Sequence, residues 1–266
     1  MNIVNNRLRL GNKKTIGKIL QPVNHYSRFP EYDLFFHNLL NVESLVDDVT
    51  PRILDVGSPK LFGLYLASKL SVELVMTDIS KSNIDEYVLM WDAIREKAPG
   101  EASLELQDVR SLDYETDSFD AVYSMSVLEH VEGENIEAQA LSEMVRVLKP
   151  GGILIFSVPV GMRFVEQLRP LQGYDHRGDA KNGTHFFQRI YSPEMIQKRL
   201  LAPVDNLLTN MKTITIIRKP TPLLRRYLSL GQTTRGLLGI LNPIMSGLYN
   251  VEAKPGDDIP SYYGKR

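Results

Sequence analysis

The segment Arg52-Ile53-Leu54-Asp55-Val56-Gly57-Ser58 joins an apolar run of strand length to an acid and a glycine, and a helical pattern follows at residues 61–67. Strand, tight turn and helix in this order are typical of a doubly wound α/β sheet, which binds nucleotides at the carboxyl ends of its strands. Glycine permits close approach of a ligand to the backbone, and a buried aspartate needs a partner. The segment therefore predicts a ligand site, although Asp55 satisfied within the protein is the alternative.

A second acid supports a nucleoside site. Residues 72–78 are predicted to form the next strand, and Asp78 at its end follows Asp55 by 23 positions (78 − 55). Doubly wound folds place their ribose-binding carboxylate at about this spacing. Pro59 and Phe62 replace the second and third glycines of a dinucleotide turn, and proline lacks the N–H that would hold a phosphate. We expect a nucleoside ligand without phosphates, with a helix cap as the alternative role of Asp78.

Three further motifs complete a recognisable set. They are a strand that ends at Asp108, the strand 119–124 followed by Val127-Leu128-Glu129-His130-Val131, and Lys149-Pro150-Gly151-Gly152 before the strand 153–159. In order and spacing, the five motifs resemble the class I S-adenosylmethionine-dependent methyltransferases, specifically the small-molecule branch similar to ubiquinone and menaquinone methyltransferases. The resemblance covers roughly residues 50–220. It implies a doubly wound, Rossmann-like, seven-stranded sheet, mostly parallel with an antiparallel last strand, which we place at residues 213–218, and helices on both faces.

The resemblance also implies a binding site for S-adenosylmethionine. The matching positions are Asp55, Gly57, Ser58, Asp78, Ile79, Asp108, Val109 and Ser124. Asp55 and Gly57 match the motif beside the methionine end, Asp78 matches the acid that binds the ribose, and Asp108 matches the acid near the adenine. Ser124 matches the strand end that faces the sulfonium, and Ser58 offers a hydroxyl and an N–H to the cofactor carboxylate. A turn role is the alternative for Asp108.

The turn after the first strand departs from the family pattern. The family's Gly-x-Gly-x-Gly is here Gly57-Ser58-Pro59-Lys60-Leu61, which keeps only the first glycine. A non-catalytic nucleoside-binding or regulatory protein on a methyltransferase scaffold is therefore the alternative to an enzyme.

Three histidines are candidates for a catalytic base. His130 follows the fourth strand, near the expected sulfonium, although a structural role at a helix start explains it equally well. His176 and His185 lie in residues 161–190, a loop-like segment that we predict to be the acceptor lid. A sulfonium is already a good leaving group, so a base is needed only if the acceptor must lose a proton.

Absent motifs narrow the reaction. Ser124-Met125-Ser126-Val127 stands where enzymes that methylate nucleic-acid amino groups carry an Asn-Pro-Pro-Tyr type motif. Ser124 and Pro159 stand where metal-dependent relatives carry acids, so no metal site is expected. We predict metal-independent methyl transfer, most plausibly to oxygen, on a small-molecule or glycan-type acceptor.

Composition favours one enzyme domain with additions. The chain has 266 residues, of which 31 are basic and 32 acidic, and no cysteine. The balanced charge argues against a nucleic-acid partner, and the lack of cysteine excludes disulfides and thiolate metal sites.

We divide the chain into a leader and pocket cap at 1–50, a methyltransferase domain at 51–220 that includes the lid, and a C-terminal helical extension at 221–266. The start lacks the apolar core of a signal peptide, so a cytoplasmic location is expected.

Both ends of the chain carry secondary predictions. The first thirty residues hold six basic side chains and no acid, which indicates a solvated strip or, alternatively, contact with an anionic substrate. The uncharged stretch 236–251 is 16 residues long (251 − 236 + 1), shorter than the roughly 20 needed to span a bilayer. A packed extension or homodimer surface is expected there, with peripheral membrane contact as the alternative.

Overall fold

The computed structural model describes residues 29–40, 50–170, 184–212, 214–220, 222–223, 226, 249–255 and 262–265. The helices are α1 (Phe29–Leu39), α2 (Lys60–Ala67), α3 (Lys81–Asp92), α4 (Ile136–Val147) and α5 (Pro193–Ile196), which continues into a π-helical turn (Gln197–Leu201). Single 3₁₀ turns lie at Arg95–Lys97, Leu128–His130 and Asp205–Leu207. The strands are β1 (Arg52–Val56), β2 (Glu73–Asp78), β3 (Glu101–Leu106), β4 (Phe119–Met125), β5 (Leu148–Ser157), β6 (Val165–Pro170), β7 (Thr184–Ile190), β8 (Leu208–Lys212), β9 (Ile214–Pro220), β10 (Tyr249–Pro255) and β11 (Tyr262–Lys265).

One sheet organises the fold, with the strand order β3-β2-β1-β4-β5-β11-β8. The first five strands in this order are parallel to their neighbours, and β11 is antiparallel to both β5 and β8. The chain runs outward from β1 to β3 and then returns to place β4 on the other side of β1. A reversal of this kind opens a crevice at the carboxyl ends of the strands. The predicted doubly wound, mostly parallel α/β fold is confirmed.

Apolar layers cover both faces of the sheet. Successive strand residues point to opposite faces, so Leu54 joins the cluster around α4, whereas Ile53 joins the cluster around α1 and α2. Phe35 of α1 is buried in the second cluster with Phe62 of α2. The end of the predicted leader therefore packs into the core beside the first turn of the sheet.

The predicted last strand at residues 213–218 is wrong. The strand β9 covers this region but pairs with β10 in a separate two-stranded ribbon. The antiparallel strand of the main sheet is β11, which places Tyr262 opposite Ile155 of β5. Residues 249–255 and 262–265 are therefore strands within the segment that we predicted to be a helical extension. The isoleucine-rich β9 has the stronger strand pattern of the two, yet β11 joins the main sheet, because strand pairing depends on the tertiary partner.

The predicted lid at 161–190 is also corrected, because its flanks are not loops. The strands β6 and β7 form an antiparallel ribbon in which Arg169 lies opposite His185. The Arg169 guanidinium lies 3.1 Å from the centroid of the Phe187 ring, so a cation–π contact ties the two strands together. His176 lies outside the described residues. The ribbon brings β7 side chains to the sheet edge that carries the crevice.

None of the described helices is long and apolar enough to cross a membrane. The stretch 236–251 lies outside the described residues except for 249–251, which begin β10. Peripheral membrane contact and homodimerisation through this stretch therefore stay predictions.

A buried ion cluster fixes the β6–β7 ribbon to α4. The Glu137 carboxylate is fully buried and contacts the guanidinium groups of Arg199 and Arg189, the latter at 3.5 Å. Arg189 also donates from Nε to Glu166 Oε1 at 2.9 Å and from its terminal nitrogens to the carbonyl oxygens of Val131 and Gly133. One carboxylate thus anchors the ribbon, and through it the loop that follows residue 130.

Replacement of Glu137 by Ala should lower the free energy of unfolding by about 3–5 kcal/mol, because two buried guanidinium groups lose their shared partner. Urea unfolding measures the change. The exposed Glu134 provides the matched control, and Glu134→Ala should change the same quantity by less than about 0.5 kcal/mol. Equal losses in the two variants would show that the cluster adds no stability.

Candidate active site

The turn after β1 is held by Asp55. The Asp55 side chain is fully buried, and its Oδ1 accepts the Ser58 N–H at 2.9 Å while its Oδ2 accepts from Lys60 Nζ at 3.2 Å. Burial, together with the negative charge of Asp55, raises the pKa of the Tyr123 phenol. The structure therefore places Asp55 as an acid satisfied within the protein, the alternative left open by the sequence, and gives it the role of shaping the turn.

Gly57 is required at the tip of this turn for two reasons. Its φ of +69° lies in the left-handed region that side chains disfavour. A Cβ at this position would also approach Val127 Cγ1 to 2.9 Å. The Gly57 N–H donates to Thr77 O at 3.1 Å, which joins the ends of β1 and β2. Because residue 57 has no side chain, a ligand could approach its backbone closely, as the sequence predicts.

The structure changes both predicted serine contacts. The Ser58 N–H is bound to Asp55, and Ser58 Oγ accepts the Met125 N–H at 2.9 Å, so only the hydroxyl proton of Ser58 remains available as a donor in the wall of the smaller cavity. Ser124 is fully buried, and its Oγ donates to Val56 O at 3.0 Å. A hydroxyl on a central strand finds its acceptor on the neighbouring strand, which turns Ser124 toward β1 rather than toward a ligand.

Two cavities lie along the carboxyl ends of β1, β2 and β4. The larger has a volume of about 620 Å³ and is lined by Val56, Gly57, Thr77, Asp78, Ile79, Asn83, Gln107, Asp108, Val109, Arg110, Ser126, Val127, His130, Val131, Glu132, His185, Phe186 and Phe187. The smaller has a volume of about 240 Å³ and is lined by Tyr32, Gly57, Ser58, Pro59, Lys60, Leu61, Asp78, Asn83, Tyr87, Met125 and Ser126. Gly57, Asp78, Asn83 and Ser126 belong to both walls, so the two cavities adjoin. Their sizes suit a small-molecule ligand.

Asp78 lies where the two cavities meet. Its Oδ1 accepts the Ser80 N–H at 2.8 Å and its Oδ2 accepts from Asn83 Nδ2 at 3.1 Å. Ser80, not Asp78, is the N-cap residue of α3, so the capping alternative for Asp78 is not realised. Ile79 follows in the wall of the larger cavity and is half exposed. Sequence reasoning missed Asn83, which fixes the Asp78 carboxylate from the first turn of α3.

Asp108 has the turn role that the sequence left as its alternative, and it also lines the larger cavity. Its carboxylate accepts from Arg110 Nε at 2.9 Å and from the Arg110 N–H at 3.0 Å, which closes the turn after β3. The side-chain hydrogen bond from Arg110 lowers the pKa of Asp108, so this carboxylate is ionised at neutral pH. Asp108 and Val109 both line the larger cavity.

His130 has a defined orientation in the same cavity. Its Nδ1 lies 2.6 Å from Phe187 O. A carbonyl oxygen only accepts hydrogen bonds, so in the neutral ring Nδ1 carries the proton and Nε2 is the basic nitrogen. Nε2 lies 3.8 Å from Glu129 Oε1. The orientation of the imidazole is thus fixed by two elements, the 3₁₀ turn that contains His130 and the ribbon strand β7.

His185 is buried in the wall of the larger cavity, with 5% of its surface exposed. Within the described part of the chain, neither of its ring nitrogens has a hydrogen-bond partner. A buried polar group without a partner is unfavourable, so His185 is suited to bind a ligand atom. The structure brings His130 and His185 together, as predicted, and leaves His176 outside the described residues.

The helix α1 covers the smaller cavity. The Glu31 carboxylate accepts a hydrogen bond from Ser157 Oγ and a longer one, at 3.4 Å, from Ser126 Oγ. The ring of Tyr32 lies 5.3 Å from that of Phe62, and Tyr32 lines the cavity. Ser126 has a φ of +53°, which is unusual for serine. Sequence reasoning missed Glu31, because its partners lie 95 and 126 residues away.

The chain matches a known domain in the region that builds both cavities. Residues 54–156 match the family model described as a methyltransferase domain. These residues are a methyltransferase domain of the class I, S-adenosylmethionine-dependent type, as the sequence motifs predicted. The match spans β1 to β5 and includes the turn at Gly57 and the acids Asp78 and Asp108. Its cofactor is S-adenosylmethionine.

One solved structure shares the fold of this chain, and two others show a weaker similarity. A SAM-dependent methyltransferase from Methanosarcina mazei is 20% identical, with 68% of this chain and 90% of that chain covered and a TM-score of 0.50. The cyclase SpnF is 22% identical, covers 79% of this chain and 70% of its own, and has a TM-score of 0.46. The N-methyltransferase NodS from Bradyrhizobium japonicum, crystallised with S-adenosylhomocysteine, is 17% identical, with 83% and 92% coverage and a TM-score of 0.42. The comparison with curated protein sequences found no match.

Replacement of Asp78 by Ala should weaken the binding of S-adenosylhomocysteine to the methyltransferase by about 1–3 kcal/mol, because the ribose hydroxyls lose a charged acceptor. Isothermal titration calorimetry measures the affinity. Asp85→Ala is the matched control, since Asp85 is an exposed acid of α3 paired with Lys81, and it should bind the ligand as the wild type does. Unchanged affinity in Asp78→Ala would refute the ribose assignment.

Proposed function

We propose that the enzyme transfers a methyl group from S-adenosylmethionine to an oxygen atom of a small-molecule or glycan-type acceptor, without a metal ion. The observation that carries the proposal is the shared larger cavity. Asp78 and Asp108 line one side of it, and His130 and His185 line another. Groups suited to a nucleoside and groups suited to a protic acceptor thus face the same space.

The residues present fit the cofactor. Asp78 would accept hydrogen bonds from the ribose hydroxyls, and Asp108 with Val109 would hold the adenine in the larger cavity. The smaller cavity, lined by Gly57 and Tyr32, would take the amino-acid tail. Gly57 and Ser126 belong to both walls, which supports placing the sulfonium beside them. In this position S-adenosylmethionine supplies an electrophilic methyl group on a good leaving group.

The protein then has to orient the acceptor and exclude water. Bound S-adenosylmethionine would supply the methyl carbon, and the electron pair of its carbon–sulfur bond would leave with the sulfur. His130 lines the side of the larger cavity from which the acceptor oxygen would approach, and its Nε2 would take the proton of that oxygen. The hydrogen bond from Nδ1 to Phe187 O would stabilise the resulting imidazolium. His185 supplies a further hydrogen bond to the acceptor, and Phe186 and Phe187 provide apolar walls.

His130→Asn should lower turnover by roughly 10²–10⁴-fold while the affinity for S-adenosylhomocysteine stays close to that of the wild type. Asparagine can still donate to Phe187 O from its amide, but it has no basic nitrogen. Turnover, cofactor affinity and melting temperature are measured together, with His185→Asn and His176→Ala as parallel variants. His185→Asn should raise KM more than it lowers kcat, because it is expected to orient the acceptor.

Wild-type turnover in His130→Asn would exclude a histidine base at this position. A drop in melting temperature with unchanged turnover would show that the histidine only packs the ribbon against the 3₁₀ turn. Loss of turnover in His176→Ala alone would move the base into the segment 171–183.

Turnover should survive treatment with EDTA. Among the residues that the structure describes, no group of three or more His, Asp or Glu side chains could hold a metal ion, and methyl transfer from a sulfonium does not require one. Activity is compared before and after chelation, and again after addition of Mg²⁺. Activity that EDTA abolishes and Mg²⁺ restores would contradict the metal-independent reaction.

A further inference from the structure

The first turn of α2 holds a buried lysine between the two positions, Pro59 and Leu61, at which the family pattern has glycines. The Lys60 side chain has 2% of its surface exposed and lies in the wall of the smaller cavity. Its ammonium donates to Asp55 Oδ2 at 3.2 Å. Among the described residues, Asp55 is the only group to which it donates. An ammonium has three donors, so two of them remain available to a ligand.

The same turn has lost the donors that a glycine-rich loop would provide. Pro59 has no N–H and makes no side-chain cap on α2. The Ser58 N–H is bound to Asp55, and Ser58 Oγ accepts the Met125 N–H, so only the hydroxyl proton of Ser58 remains as a donor. The Phe62 N–H donates to Pro59 O at 3.0 Å, which leaves the N–H groups of the first two helical positions as backbone donors. An anionic group in the smaller cavity therefore has few hydrogen-bond donors, and Lys60 is the only cation among the described residues that line this cavity.

We propose that Lys60 binds the α-carboxylate of S-adenosylmethionine and thereby selects a carboxylate-bearing methyl donor. The assignment rests on the proposed function, because it uses the amino-acid tail in the smaller cavity. Asp55 pairs with the buried ammonium and holds it at the base of the turn. The ligand carboxylate then becomes the second anion of an Asp55–Lys60–carboxylate chain. The helix dipole at the start of α2 favours the same negative charge.

The chain of charges explains why a lysine is tolerated at this buried position. An isolated buried cation is strongly unfavourable, and a paired one is retained only when its remaining donors are satisfied. Asp55 satisfies one donor, and the ligand would satisfy a second. The turn has Pro59 and Leu61 in place of glycines, and it also carries Lys60. These differences from the family pattern are then linked, because a side-chain cation replaces backbone N–H groups as the partner of the ligand carboxylate.

The test compares S-adenosylmethionine with decarboxylated S-adenosylmethionine, which differs only in the carboxylate. Isothermal titration measures both affinities for wild type, Lys60→Met and Asp55→Asn/Lys60→Met. The double variant removes the buried acid that Lys60→Met leaves unpaired, so that the turn can keep its shape. Lys81→Met is the matched control, because Lys81 is an exposed lysine of α3 that pairs with Asp85. Melting temperature is recorded for each variant.

The wild type and Lys81→Met should prefer S-adenosylmethionine by roughly 10- to 100-fold, the range of one charge-assisted hydrogen bond. Both Lys60 variants should bind the two ligands within about threefold of each other, with little change for the decarboxylated one. A preference retained in the double variant, or an equal loss for both ligands, would overturn the assignment. Failure of the wild type to bind S-adenosylmethionine would instead refute the proposed function itself, so the two failures are distinguishable.

Discussion

The Asp55 carboxylate is the constraint on which the cavities depend. It ends the central strand β1 inside the core, where its charge is balanced by Lys60 and its second oxygen is occupied by the Ser58 N–H. These two bonds draw the start of α2 back toward the strand and leave Gly57 at the tip of the turn. Both cavities meet at this tip. Removal of either member of the ion pair would leave a buried charge without a partner, so the turn and the site form one unit.

Hydrogen bonds across strand ends extend this unit to the neighbouring strands. Ser58 Oγ accepts the Met125 N–H, and Ser124 Oγ donates to Val56 O, so β1 and β4 are joined where the chain reverses direction in the sheet. Beyond β4, Ser126 takes up a left-handed backbone conformation and reaches both cavities. The sequence predicts Ser58 and Ser124 as ligand contacts, but in the structure they mainly hold the strand ends in place, whereas Asp78 faces the cavities.

Two distant segments complete the site. The helix α1 brings Glu31 to the ends of β4 and β5, and the ribbon strand β7 brings the Phe187 carbonyl to His130. Arg189, held by Glu137, binds the carbonyl oxygens of the loop after His130. The cavity wall at His130 therefore depends on contacts between residues far apart in the chain, whereas the wall at Asp78 and Asp108 is built from successive strand ends.

The sequence by itself determined the doubly wound fold and the acids at the strand ends. Strand periods, the turn at Gly57 and the spacing of Asp55, Asp78 and Asp108 are local features, and parallel strands bring their carboxyl ends to one edge. The tertiary structure alone decided which polar groups remain available to a ligand. It engaged Asp55, Ser58 and Ser124 within the protein, and it selected β11 rather than β9 as the antiparallel strand. Hydrogen-bond partners and strand pairing depend on residues far away in the chain, which no local pattern encodes.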